Sequence, residues 1–116
     1  MKSAKQGRIV LVTCATRTEA RRIARAVVRR RLAACVNIIL SPVESLYTWK
    51  GKLKKTREYL LVMKTTVKRL AELEKEVKRL HSYEVPEFIA LPISGGSTKY
   101  LSWVEDSVAK ARNSAI

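Results

Sequence analysis

Apolar positions change period several times along this chain, and each change marks an element. Arg8-Ile-Val-Leu-Val-Thr-Cys14 is a continuous β-branched run, which predicts a strand covered on at least one face. From Ala20 the spacing becomes helical. Ala20, Ile23, Ala24, Val27 and Val28 form an inner stripe, while Arg21, Arg22, Arg25 and Arg29 stay outside. Thr16 or Thr18 can cap that helix, Glu19 falls early in its first turn, and its end is expected near Arg31.

Leu32 to Leu40 reads as a second strand interrupted at Ser41-Pro42, and Ser45 to Trp49 resumes an extended pattern. Lys50-Gly51 predicts a tight hairpin tip, and Glu58 to Thr65 the returning strand. A second amphipathic helix is expected over residues 67–81, burying Val67, Leu70, Leu73 or Glu74, Val77 and Leu80. Its wet face comprises Lys68, Arg69, Glu72, Lys75, Glu76 and Arg79. Phe88 to Ile93 is a fourth strand, Ser94-Gly-Gly-Ser97 breaks it, and Thr98 to Arg112 forms a last helix with Tyr100, Leu101, Val104 and Val108 inside.

The order predicts an α+β, ferredoxin-like fold: two split β-α-β units with both helices on one face, plus a C-terminal helix. Helices on one face leave the other uncovered, although its strands are apolar. The long hairpin, residues 43 to 60, carries Tyr47, Trp49 and Tyr59 away from any core. An oligomer in which sheets face one another and hairpins cross neighbours covers both surfaces. The 116 residues, 47% hydrophobic, form one domain, with residues 1–7 a polar lead-in. No apolar run reaches the roughly 18 residues of a membrane span, and the start lacks a signal-peptide pattern, so a cytoplasmic protein is expected. Cys14 and Cys35 sit in apolar runs outside any Cys-x-x-Cys motif, which suits reduced thiols.

Formal charge is +14 and uneven. Residues 1–31 hold ten Lys or Arg against Glu19 alone, seven of them arginines from Arg17 to Arg31. Such a helix attracts polyanions. No aromatic residue interleaves the arginines, so nucleic-acid binding is the weakest of three functional readings and nucleic acid is not expected as a partner.

The densest chemistry lies in His81-Ser-Tyr-Glu-Val-Pro-Glu87, a turn between the second helix and the fourth strand that holds the only histidine. An imidazole beside carboxylates can bind a metal or move protons. No catalytic residues are assigned, because no nucleophile partners the histidine and Gly95-Gly96 lacks the rest of a phosphate loop.

Leu32-Ala-Ala-Cys-Val-Asn-Ile, Ser45-Leu-Tyr-Thr-Trp-Lys-Gly51, Glu58 through Lys64-Thr65, and Tyr83-Glu-Val-Pro-Glu87 occur in an order and spacing that resemble the CutA divalent-cation tolerance family. Leu91-Pro-Ile and Tyr100-Leu-Ser-Trp103 extend the resemblance to about residues 8–108. It implies a cytosolic homotrimer, similar in architecture to PII signalling proteins, that is non-enzymatic and binds divalent metal ions, copper (Cu2+) in particular. His81 and Cys14 match residues proposed as metal ligands in the family, and a thiolate with an imidazole would suit copper or zinc; the place of Cys14 before a helix N-terminus, which lowers thiol pKa values, leaves its deprotonation open. Leu80 stands where some members carry a second histidine, and Ser82 where proline is usual. Tyr83, Glu84, Glu87, Lys64 and Glu58 are candidates for an intersubunit cleft. That cleft would hold a small molecule or anion, as in a PII-like sensor, or an ion pair from Lys64 to Glu58 or Glu87.

Overall fold

The computed structural model describes residues 2–3 and 5–110. Strand β1 (Lys2–Ser3) is short; β2 (Gly7–Cys14) leads into helix α1 (Arg17–Arg29). The next strands are β3 (Cys35–Ile38), β4 (Val43–Trp49) and β5 (Lys52–Thr66). A single 3-10 turn over Val67–Arg69 opens helix α2 (Leu70–Leu80). β6 (Ile89–Pro92), β7 (Gly95–Gly96) and helix α3 (Thr98–Val108) complete the chain. The expected end of that helix, Arg112, lies outside the described residues.

The main sheet is antiparallel in the order β3-β5-β2-β6, and β4 pairs with the first half of β5. Three sequence expectations change. The lead-in is partly structured, since Lys2 and Ser3 pair with Gly96 and Gly95. Leu32, Ala33 and Ala34 are a buried turn, not strand. Arg31 adopts a left-handed φ of 58°, and the Leu32 and Ala33 amides donate back to Val27 O, so the chain closes the helix before it can extend.

The third change concerns α2, whose expected wet face is broken twice. Arg69 is buried because its guanidinium donates to the carbonyls of Arg30 and Arg31, at the end of α1 where a positive charge is favoured. Glu76 is buried between two arginines, its carboxylate 2.8 Å from Arg30 Nη1 and 2.8 Å from Arg79 Nε. These partners hold its carboxyl down at about 2, the Arg79 hydrogen bond contributing most. The arginines are 56% and 64% exposed, so solvent screens much of that gain. A depressed carboxyl stabilises the fold above its unfolded value of 4.5, and the gain is lost as pH falls towards 2. Glu76→Gln is expected to cost about 1–2 kcal/mol at pH 7 and nothing at pH 2, read by urea unfolding across that range. Equal losses at both pH values would sink this account.

Pairing register sorts the side chains onto two faces. Val10, Val12, Cys14, Leu61 and Met63 meet Ile23 and Val27 of α1 and Leu73 and Val77 of α2 in one core. The opposite face carries Ile9, Leu11, Leu60, Val62, Ile89 and Leu91, by their register in β2, β5 and β6. Helix α3 packs against β5 and β2 through a small cluster of Val104, Val108 and Ala34, and leaves Ile89 and Leu91 nearly half exposed. The β4–β5 hairpin turns at Lys50 (φ 53°) and Gly51 (φ 79°), the paired left-handed residues that a two-residue hairpin requires. It projects Leu46, Tyr47, Trp49 and Leu53 into solvent. The radius of gyration, 15.4 Å, exceeds the roughly 13.4 Å of a compact chain this long, as a projecting arm requires.

Candidate functional site

Cys14 closes β2 with its side chain in the core. Two residues later, Thr16 caps α1 by accepting from Glu19 N at 3.1 Å. Thr16-x-x-Glu19 is the spacing of a capping box, in which the glutamate would reach back to the threonine amide. Here Glu19 turns inward instead, and its Oε2 accepts from Ser82 N at 2.9 Å. Its Oε1 is buried with no hydrogen-bond partner among the described residues. An orphaned carboxylate oxygen in a core is costly and asks for a cation or proton.

His81 completes the cluster. Its ring is fully buried, with Nε2 2.7 Å from Thr13 O, and Nδ1 accepts from Tyr83 N at 3.0 Å. Those partners assign the neutral tautomer protonated on Nε2. Glu19 Oε1 lies 4.0 Å from Nδ1, close to a lone pair and not to a proton. Cys14, Glu19 and His81 together bring thiol, carboxylate and imidazole ligand atoms within 4.8 Å of one another. A tetrahedral ion with such ligands needs them about 3.5 Å apart, so a modest contraction and release of the Tyr83 amide would assemble a site.

Within one chain the Cys14 thiol is held protonated. Burial, then the charges of Glu19 and Glu58, push Cys14 up to about 12. The helix N-terminus is outweighed by burial first and by its own first-turn glutamate second. Cys35, by contrast, lies on the other face near Lys64 Nζ, and neither cysteine forms a disulfide.

Next to the cluster opens a cleft of about 780 Å³ between the β4–β5 hairpin and the 82–87 turn. Of the sequence candidates, Tyr83, Glu84, Glu87 and Glu58 line it together. Lys64 does not line it within one chain; its ammonium meets Asn37 Oδ1 on the open sheet face. Thr13, Ser45, Tyr47 and Trp49 also face the cleft, and among the described residues no Lys or Arg does. Within one chain this cleft is acidic, although the whole chain carries +14. Its carboxylates feel one another. Glu87 is pushed up by burial and by the charge of Glu58. Tyr83 is pushed up by burial and by its hydrogen bond to Glu58. Tyr83 links cleft and cluster, its ring 4.7 Å from that of His81.

Sequence reasoning found His81, Cys14 and four cleft residues, and passed over Glu19 as a helix-start residue. The signal lay in its capping-box spacing immediately after Cys14.

Among the described residues, Cys14, Glu19 and His81 thus form a buried cluster of potential metal ligands on an antiparallel α+β sheet. Residues 8–107 match the family model described as CutA1 divalent ion tolerance protein, and the chain belongs to that family. It is 44% identical over 99 residues to the divalent-cation tolerance protein CutA of Thermus thermophilus, covering 85% of this chain and 95% of that one. The chloroplastic CutA of Arabidopsis thaliana is 46% identical over 99 residues, 85% of this chain, yet this chain spans only 54% of that relative's length. Among solved structures, CutA1 from Oryza sativa superposes with a TM-score of 0.88 at 40% identity, covering 95% of this chain and 100% of that one. The family's name refers to tolerance of divalent ions, not to a reaction.

Proposed function

We propose that this protein is a cytoplasmic, ferredoxin-like homotrimer that binds a divalent metal ion, copper(II) foremost, without catalysing a reaction. Cys14, Glu19 and His81 would hold the ion. The unpartnered Glu19 Oε1 carries this reading, because it is the one buried polar atom of the cluster that the fold leaves unanswered. The mixed sulfur, nitrogen and oxygen donors suit copper(II) or zinc(II) over magnesium or calcium. Two free thiols fit a reducing compartment. The uncovered apolar sheet face and the projecting hairpin support the trimer.

Calorimetric titration of copper(II) and zinc(II) into the chelator-stripped protein tests the site, with zinc measured under reducing conditions and copper(II) without added thiol. One ion per chain is expected, at least tenfold weaker in Glu19→Gln, which keeps an acceptor for Ser82 N. Equal affinity in wild type and variant would remove Glu19, and with it this site, from the function.

A second reading is favoured by the cleft. Three glutamates, three aromatic walls from Tyr47, Trp49 and Tyr83, and no basic residue suit a small organic cation acting as an effector in a PII-like sensor.

A further inference from the structure

The arginine helix offers a surface independent of the metal reading. On α1, Arg21, Arg25 and Arg29 repeat every four residues and form one ridge, each step about 6 Å along the axis. The adjacent ridge is Thr18, Arg22 and Ala26. The small side chains of Thr18 and Ala26 open a groove of about 550 Å³ between the two, lined by these six residues.

The charge in this groove is unanswered from within the chain. Arg22 donates to Leu80 O, but Arg21, Arg25 and Arg29 have no carboxylate or carbonyl partner among the described residues. Glu19, the sole acid of α1, is buried on the opposite side against Ser82 and His81. Neighbouring α2 offers none either. Glu72 pairs with Arg69 and Lys110, Glu74 with Lys78, and Glu76 with Arg30 and Arg79. A surface enriched in ions for stability would pair these arginines; like charges four apart on a helix instead destabilise it. The α1–α2 layer also lies across the sheet from the apolar face, so assembly through that face leaves the ridge open.

From this we infer that the Arg21-Arg25-Arg29 ridge is a docking surface for the phosphodiester backbone of a nucleic acid, read without regard to sequence. A row of planar, permanently charged forks matches a line of phosphates. The absence of exposed aromatic side chains on α1 excludes base stacking. An anionic membrane is a poorer fit, because the apolar side of α1 is spent in the core, where Ile23 and Val27 are fully buried.

Fluorescence anisotropy with two labelled 24-base-pair duplexes of unrelated sequence, across a salt series, tests this inference. Similar affinity for both is expected, falling steeply with salt. Arg21→Gln/Arg25→Gln/Arg29→Gln should bind at least tenfold more weakly, with the log–log salt slope shallower by about 2–3. Lys52→Gln/Lys54→Gln/Lys99→Gln removes the same charge elsewhere and should leave both quantities nearly unchanged. An equal loss in this second variant would overturn the inference, since any charge would then serve. Binding of inorganic polyphosphate or of phosphatidylserine vesicles, with no binding of either duplex, would overturn it as well.

Discussion

Ile89→Asp is expected to release 13.1 kDa monomers from the proposed trimer. Ile89 lies on edge strand β6 opposite Leu11, and its side chain is 47% exposed in the single chain. An aspartate there stays hydrated in the monomer, so the fold itself should survive. In a sheet-to-sheet contact the same carboxylate would be stripped of water, and the nearby Glu87 offers only repulsion. Burying an unpaired charge costs several kcal/mol, and a symmetric trimer incurs that cost three times. Light scattering behind size exclusion reads the mass, and circular dichroism checks that the fold is retained. A variant that stays trimeric would place the interface elsewhere, and a monomeric wild type would remove the trimer altogether.

The second large effect is a pH dependence of metal affinity that Cys14 should impose. The sulfur binds metal as thiolate, yet its pKa is held at about 12, so each ion bound near neutrality must displace a proton. Affinity is therefore expected to climb about tenfold per pH unit between pH 6 and 9. Cys14→Ser should flatten the dependence and weaken binding by two orders of magnitude or more. The metal-free protein should show the converse. A raised thiol pKa favours the fold below the unfolded value of 9.0, so stability is lost as pH rises from there towards 12, by on the order of 1 kcal/mol per unit. Metal titrations at fixed buffer strength and alkaline melts read both. A flat affinity that survives Cys14→Ser would reduce binding to ligation at the surface.

Much of the fold was legible because its elements bury regular stripes. The run Arg8 to Cys14, the stripe of Ala20, Ile23, Ala24 and Val27 in α1 and the Lys50-Gly51 turn each carry local signals that tertiary context left intact, whereas Val28, expected in that stripe, is 40% exposed. The failures are equally physical. Arg69 and Glu76 read as solvent-facing because nothing in α2 itself reveals that the end of α1 and Arg30 lie against them. Lys64 shares a face of β5 with Glu58, being six residues on, but a rise of about 20 Å carries it away from the cleft to Asn37 on the open sheet. Glu19 illustrates the hardest case. Its spacing from Thr16 satisfies a local rule, and only the approach of the 81–83 turn, more than sixty residues later, diverts its carboxylate inward.

The register of β2 also bears on how quickly the chain reaches this state. The β4–β5 arm joins neighbours across a two-residue turn and can zip in microseconds. Central β2 has no such shortcut. It must capture β5 from Gly7 to Thr66 and β6 from Leu11 to Ile89, closing loops of about 60 and 80 residues before either pairing is rewarded. Refolding should thus show an early phase sensed by Trp49 on the arm, and a slower one when the first strand inserts and the buried cluster comes into being.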